Sequence, residues 1–191
     1  LNNRNFTSEK TTLGAIYIVR DPRNILSSLK NHYDLKDYEE TFEFMKNKKK
    51  YIWDIRNQND FSGFQFLGSW SDHYKSWIKN TKFKTLLIKY EDLEKDCYTT
   101  SHKLIEYILL LNGQNNKVNE KKLFQSIETT KFDILQSREK ETGFDESIKI
   151  NEKNKSFFYL GPENKWQKTL PKEILSKAEK EFRDDLNFFN Y

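Results

Sequence analysis

The sequence contains a single cysteine, Cys97, among its 191 residues. One cysteine cannot form a disulfide within the chain, which excludes the disulfide frameworks of small secreted proteins. The three histidines, His32, His73 and His102, lie far apart without the spacing of metal ligands, so we expect no metal site. No apolar run approaches the length of a membrane span, so we expect no membrane-crossing segment.

An excess of one charge is also missing. The 33 basic and 29 acidic residues leave a formal net charge of +4. This balance suits an anionic ligand in a local pocket, whereas nucleic-acid binding usually needs a denser basic stripe, so we expect no nucleic-acid partner. The chain opens with Leu1 and a polar segment, without Met or a signal peptide. We therefore expect a natural N-terminus further upstream. We also expect a cytoplasmic protein and, from the many Lys and Asn residues, a bacterial origin.

Familiar catalytic groupings are not readable in the chain. No Ser-His-Asp, Cys-His or H-E-x-x-H pattern occurs. The segment GFQFLGSW, residues 63–70, has two glycines at the separation found in a phosphate-binding loop. However, Ser69 and Trp70 replace the lysine and the hydroxyl residue of that loop, and no strand precedes it. We therefore reject a phosphate-binding loop at this position.

The most informative segment is AIYIVRDPRNILSSLKNHY, residues 15–33. Its first five residues are a short apolar run typical of a buried strand. Asp21 suits a helix N-cap and Pro22 suits the first helical position. Arg20 therefore ends a strand, where open α/β sheets bind ligands, and Ser28 lies about two helical turns further on. The two side chains could clamp a phosphate, or Arg20 could pair with a carboxylate while Ser28 only fills a helix surface.

Hydrophobic periodicity predicts the other elements. We expect helices over 37–55 and 65–79, a strand over 84–93, helices over 99–113 and 119–130, a mobile loop over 137–156 and a last helix from Pro171. The apolar sides of the first two helices hold Phe42, Met45, Tyr51 and Trp53, and then Phe66, Trp70, Tyr74 and Trp77. The last helix places Ile174, Ala178, Phe182 and Leu186 on one side. No repeat or linker indicates a second domain.

Five segments follow the order of a known family: VRDPRNILSSLKNHY, GSWSDHYKSW, LLIKYEDL, TTKF and LGPENKWQK. From Leu13 to Phe189 the chain resembles the later part of a nucleotide-dependent sulfotransferase. These enzymes transfer a sulfuryl group from 3′-phosphoadenosine 5′-phosphosulfate (PAPS) to a hydroxyl or amine and release adenosine 3′,5′-bisphosphate (PAP). The resemblance implies an α/β, P-loop-NTPase-like three-layer fold with a parallel sheet flanked by helices. Here the fold is expected to be incomplete, as a single domain over residues 1–191.

The resemblance also implies which residues bind the nucleotide. The family's 3′-phosphate site is an Arg at a strand end and a Ser eight residues later, which correspond to Arg20 and Ser28. The family surrounds the adenine with the Tyr of a YED motif and with a Thr-x-Phe segment. These correspond to Tyr90, Thr130 and Phe132, and an aromatic ring at a strand end offers a π-face to a base.

The chain departs from the family pattern in two places. An Arg-Lys-Gly run is replaced by Tyr159, Leu160 and Gly161, so both cations are missing, while Gly161 keeps the turn and a backbone donor for a phosphate. The family's lysine-containing phosphosulfate loop and its Lys-Thr-His segment, which carries the general base, are not found. We therefore expect no catalytic residue in this chain and no activity from it alone. Trp70 and Trp166 occupy family tryptophan positions and are interpreted as structural.

The sequence thus predicts the 3′-phosphate and adenine-binding part of a PAPS-dependent sulfotransferase that needs no metal. Two alternatives stay open. A P-loop kinase-like phosphotransferase would need a Walker loop and a metal-binding Asp, neither of which is visible. A non-catalytic nucleotide-binding or interaction module is possible because fold does not determine function. The acceptor is equally open among glycans, lipids, phenols and small metabolites.

Overall fold

A computed structural model of the chain describes residues 10–52, 64–79, 82–144, 148–150 and 153–191. In chain order its elements are β1 (Gly14–Val19), α1 (Pro22–His32), α2 (Tyr38–Lys46), β2 (Tyr51–Ile52), β3 (Gln65–Phe66), α3 (Trp70–Ile78), β4 (Lys84–Lys89), α4 (Tyr90–Lys95), α5 (Cys97–Leu111), α6 (Glu120–Thr129), α7 (Phe132–Thr142), β5 (Ile148–Ile150), β6 (Lys153–Lys155), α8 (Trp166–Thr169), α9 (Lys172–Glu181) and α10 (Arg183–Phe189). The chain divides into two compact units. Unit 1 contains Leu1–Arg20 and Tyr74–Thr130, and unit 2 contains Asp21–His73 and Lys131–Tyr191.

Unit 1 is built on the parallel pair β1 and β4, whose register runs from Gly14 opposite Lys84 to Val19 opposite Lys89. Helix α5 packs close to these strands, because a Cβ added to Gly14 would lie 2.6 Å from the hydroxyl oxygen of Tyr107. That hydroxyl donates to the carbonyl oxygen of Lys84 at 2.7 Å. Because the strands are parallel and in register, the residues that follow them emerge at the same edge. The predicted α/β class, with helices flanking a parallel sheet, is confirmed.

Unit 2 holds a hydrophobic cluster formed by helices α1, α2, α9 and α10. Its buried members are Leu26, Phe42, Met45, Ile174, Ala178, Phe182 and Leu186. The Phe182 ring packs edge-on against Phe42 and Trp70, with centroid distances of 6.3 and 5.4 Å. The predicted core positions on the second and last helices, Phe42, Met45 and the four apolar residues from Ile174 to Leu186, are therefore confirmed.

The helix predicted over 37–55 is too long, since α2 ends at Lys46. The side chain of Asn47 accepts a hydrogen bond from the backbone N–H of Lys49 at 2.9 Å, and this turn ends the helix. Tyr51 then lies in β2, which pairs antiparallel with β3, and its side chain is exposed and not in the core. Trp53 lies outside the described residues.

The helix predicted over 65–79 begins later, at Trp70. Ser69 caps this helix. Its hydroxyl accepts a hydrogen bond from the backbone N–H of Asp72 at 3.1 Å and donates one to the Asp72 side-chain carboxylate at 2.8 Å. Phe66 precedes the helix in β3 and is 62% exposed, so its assignment to the core face was wrong. Tyr74 is 2% exposed, as that assignment required.

The predicted strand over 84–93 ends at Lys89, and Tyr90 begins helix α4 instead. Two helix predictions are confirmed to within two residues. Helix α5 begins at Cys97, where Asp96 accepts from the N–H of Thr99, and it ends before Asn112. Helix α6 begins after the predicted cap, Asn119.

The prediction of a mobile loop over 137–156 was wrong. Helix α7 extends to Thr142, and β5 and β6 form an antiparallel pair. A polar side chain of α7 accepts hydrogen bonds from backbone N–H groups. Glu139 accepts from the N–H groups of Phe157 and Phe158 at 2.5 and 3.0 Å. The single last helix is also two helices, α9 and α10, separated at Phe182.

Candidate functional site

Arg20 and Tyr90 lie together in unit 1, each directly after one of the paired strands. The guanidinium carbon of Arg20 is 4.2 Å from the centroid of the Tyr90 ring. The Arg20 side chain is 17% exposed, and its Nε and Nη2 atoms are buried without a hydrogen-bond partner. Glu94 Oε1 is 4.0 Å from Nη2, which makes a long ion pair but no hydrogen bond, so the donors of the guanidinium stay unsatisfied.

This environment is chemically incomplete for a cation. A buried guanidinium is normally matched by a carboxylate or by several acceptors, because charged donors removed from water are costly when unpaired. Tyr90 covers one face of the group but supplies no acceptor along the fork of nitrogen donors. The arrangement therefore suits an anion that reaches Arg20 from solution, and a phosphate matches the fork better than a single-oxygen ligand.

Ser28 lies in α1 of unit 2 with an exposed side chain. Its hydroxyl oxygen accepts a hydrogen bond from Asn164 Nδ2 at 2.7 Å. The same amide nitrogen donates to the carbonyl oxygen of Asn24 at 3.0 Å, and Asn164 itself is 2% exposed. The Ser28 hydroxyl is therefore held from the buried side and open on the other.

Gly161 and Phe132 are also brought together in unit 2. Gly161 opens a short 3-10 turn, Gly161–Glu163, with φ +50°. A Cβ added there would lie 2.5 Å from carbon atoms of the Phe132 ring. Both the backbone conformation and the close ring explain why this position is glycine. Phe132 begins α7 and packs edge-on against Phe158, with centroids 6.1 Å apart.

The remaining nucleotide-site candidate, Thr130, lies in unit 1 at the C-terminal cap of α6. It is exposed, and its hydroxyl donates to the backbone carbonyl of Ser126 at 2.7 Å. Tyr159 and Leu160, which stand where the family has two cations, are exposed and half-buried respectively. Trp166 stacks on Arg23 with 4.3 Å between the guanidinium carbon and the ring centroid.

The sequence comparison establishes the family. A family model described as the sulfotransferase domain matches residues 6–189. The chain belongs to the sulfotransferase family. No curated protein is significantly similar to it in sequence.

Two solved structures show the same fold. The crystal structure of retinol dehydratase in complex with androsterone and inactive cofactor PAP has a TM-score of 0.59 and 19% identity, over 90% of this chain and 46% of that one. The crystal structure of mouse sulfotransferase SULT7A1 complexed with PAP has a TM-score of 0.58 and 18% identity, over 90% of this chain and 58% of that one. The chain thus spans about half the length of these proteins. The fold predicted from the sequence motifs is confirmed.

Sequence reasoning missed Asn24 and Asn164. Asn24 lies inside the recognised segment 15–33, and Asn164 lies inside GPENKW, but asparagine at either place predicts nothing unless the two segments are known to touch. Within the described ranges, no helix is long and apolar enough to cross a bilayer. The same residues include no cluster of three or more His, Cys, Asp or Glu side chains suited to a metal ion.

Proposed function

We propose that this chain is the nucleotide-binding part of a PAPS-dependent sulfotransferase that acts on a hydroxyl or amine acceptor. The observation that carries the proposal is the pair of buried Arg20 nitrogens at the end of β1, Nε and Nη2, that lack a hydrogen-bond partner. Family membership and the PAP named in both structural relatives support the choice of nucleotide. The balanced charge of the chain supports a small anionic ligand over nucleic acid as the partner.

In this proposal, Arg20 and Ser28 bind the 3′-phosphate, Tyr90, Thr130 and Phe132 surround the adenine, and the N–H of Gly161 donates to a phosphate. PAPS supplies the activated sulfuryl group when bound. The residues of this chain hold the departing nucleotide in one position, which is a large part of catalysis when the transferred group needs little covalent assistance.

Arg20 also accounts for selection of the donor. A nucleotide without a 3′-phosphate leaves the buried Nε and Nη2 donors of Arg20 without a hydrogen-bond partner, and a site with unsatisfied buried donors rejects such a ligand strongly. We propose that the chain alone binds nucleotide without transferring the sulfuryl group, because neither the family's phosphosulfate loop nor its Lys-Thr-His segment occurs in the sequence. A polar composition and a single cysteine support action in the cytoplasm.

The test is calorimetric titration of the full-length protein with PAP. Arg20→Ala is expected to weaken PAP binding by about 2–4 kcal/mol, the scale of a charged, hydrogen-bonded contact. Binding of adenosine 5′-phosphate, which lacks the 3′-phosphate, should change much less.

The matched control is Arg183→Ala, which removes an exposed arginine of α10 and should leave PAP affinity unchanged. Unchanged PAP affinity in Arg20→Ala, in a variant whose circular dichroism spectrum matches the wild type, contradicts the proposal.

A further inference from the structure

The side-chain amide of Asn164 has an unambiguous orientation. One of its two polar atoms lies 3.0 Å from the backbone carbonyl oxygen of Asn24. A carbonyl oxygen only accepts hydrogen bonds, so that atom is the amide nitrogen, Nδ2. The same nitrogen lies 2.7 Å from Ser28 Oγ. Its two hydrogens therefore serve the Asn24 carbonyl and the Ser28 hydroxyl, and in the second bond the hydroxyl oxygen is the acceptor.

This arrangement occupies the backbone carbonyl to which the Ser28 hydroxyl would otherwise donate a hydrogen bond. A serine hydroxyl inside a helix commonly donates to the carbonyl four residues earlier, which for Ser28 is that of Asn24. A carbonyl oxygen has two lone pairs. Within α1 one of them receives the backbone N–H of Ser28, and the other receives Asn164 Nδ2. No acceptor position is left on the backbone carbonyl of Asn24 for the Ser28 hydroxyl.

We propose that Asn164 is a positioning residue that keeps the Ser28 hydroxyl proton available to donate to the nucleotide's 3′-phosphate. The inference rests on the proposed function, in which Ser28 binds that phosphate. Asn164 fills an acceptor site of the hydroxyl and blocks its back-donation to the Asn24 carbonyl. The exposed hydroxyl proton of Ser28 then has an external acceptor as its natural partner.

The segment that carries Asn164 is attached firmly to α1. The side-chain oxygen of Asn24 accepts from the backbone N–H of Trp166 at 2.8 Å. The backbone N–H of Asn164 donates to the carbonyl of Gly161 at 3.1 Å. These bonds hold the amide on both sides, so its nitrogen has a fixed direction toward Ser28.

Asn164 also carries a cost in folding free energy at this position. Its side-chain oxygen, Oδ1, is buried with no hydrogen-bond partner. An unsatisfied buried acceptor reduces stability, and native structures keep few of them. The amide uses both hydrogens of its nitrogen and leaves its oxygen unused, so its role here is explained by the donor function of Nδ2 and not by a gain in stability.

The test compares binding of PAP and of adenosine 5′-phosphate to the full-length protein and to the variants Asn164→Ala, Asn164→Asp, Ser28→Ala and Asn164→Ala/Ser28→Ala. We expect Asn164→Ala to raise the Kd for PAP about tenfold, the scale of one lost hydrogen bond to a charged ligand, with no change for adenosine 5′-phosphate. Asn164→Asp should raise the Kd further, because a carboxylate accepts the hydrogen bond of the Ser28 hydroxyl and adds negative charge near the phosphate. In the Ser28→Ala background, Asn164→Ala should have no additional effect.

The matched control is Ser27→Ala, since Ser27 is the adjacent serine and its hydroxyl donates to Thr169 Oγ1 at 2.7 Å. It should leave PAP affinity unchanged, and thermal unfolding of each variant checks that it is folded. If Asn164→Ala does not fold, Asn164→Asp and Asn164→Ser carry the same comparison.

Two results overturn the inference alone. The first is an unchanged preference for PAP over adenosine 5′-phosphate in the folded Asn164 variants, when the wild type shows that preference. This result would remove the positioning role of Asn164 and leave the proposed function standing. The second is an effect of Asn164→Ala that persists in full when Ser28 is alanine. A wild type that binds the two nucleotides equally contradicts the proposed function itself, and this inference with it.

Discussion

Two arginines separated by two residues in the sequence have opposite environments. Arg23 forms a bidentate pair with Asp21, with Nε 3.0 Å from Oδ1 and Nη2 2.8 Å from Oδ2. Burial lowers the pKa of Arg23, but the hydrogen bond and charge of Asp21 outweigh it and the net shift is upward. Arg20 has two buried nitrogens without a hydrogen-bond partner and a long ion pair, 4.0 Å, to Glu94. The segment RDPR therefore contains one arginine that stabilises the fold and one that is suited to a ligand.

His73 is expected to make stability depend on pH. It is half-buried in α3, and burial lowers its pKa below the ordinary value of 6.5. The unfolded chain therefore binds more protons than the folded one as the pH falls below 6.5, so stability is full above that value and decreases down to the folded pKa. Urea unfolding at several pH values should show this slope, and His73→Gln should reduce it. An equal slope in the variant contradicts the prediction, whatever the variant's stability at neutral pH.

Helix α1 and helix α2 both begin at an aspartate cap, but the two caps differ in what else depends on them. Asp21 is 4% exposed, accepts from the backbone N–H of Arg23 at 2.8 Å and neutralises the Arg23 side chain. Asp37 is exposed and accepts from the backbone N–H of Glu40 at 2.9 Å. The first cap combines a helix start with a buried ion pair, whereas the second is a helix start alone.

Asp21→Ala is therefore expected to lower the free energy of unfolding by about 3–5 kcal/mol, because among the described residues it leaves Glu179 as the remaining carboxylate partner of the buried Arg23 cation. Asp37→Ala should cost about 0.5–2 kcal/mol, the range for an ordinary N-cap. Asp21→Asn retains the cap acceptor and should fall between wild type and Asp21→Ala. Urea denaturation monitored by circular dichroism measures all three, and equal losses for Asp21→Ala and Asp37→Ala contradict the argument.

These elements also show what could be predicted from sequence. Asp21 and Asn119 were recognised as caps because the partner of a cap lies within three residues. The end of α2 was missed because the turn at Asn47 competes with an apolar spacing that continues beyond it. Helix α7 was missed because the side chain of Glu139 binds backbone N–H groups about twenty residues away, and a sequence pattern does not show such a contact. Asn164 meets Ser28 across 136 residues of sequence, and no local pattern contains such a contact.

Unit 2 is assembled from two separate parts of the chain, Asp21–His73 and Lys131–Tyr191. Its hydrophobic cluster joins α1 and α2 from the first part to α9 and α10 from the second. Neither part contains enough of the cluster to bury it alone, so the unit depends on contacts between residues far apart in sequence. Such contacts are costly to form and make the residues at the centre of the cluster decisive for stability.

Phe182 is the residue on which this dependence is best tested. It is 1% exposed, separates α9 from α10 in the second part of the unit and packs against two rings of the first part, Phe42 and Trp70. Phe182→Ala should lower the free energy of unfolding by about 3–5 kcal/mol, through lost burial and a residual cavity. Phe124→Ala removes the same ring from α6, where it is 57% exposed, and should change stability by less than about 0.5 kcal/mol. Urea denaturation of both variants measures the two losses in free energy of unfolding. A small loss for Phe182→Ala would mean that the two parts of unit 2 are held together by something other than this cluster.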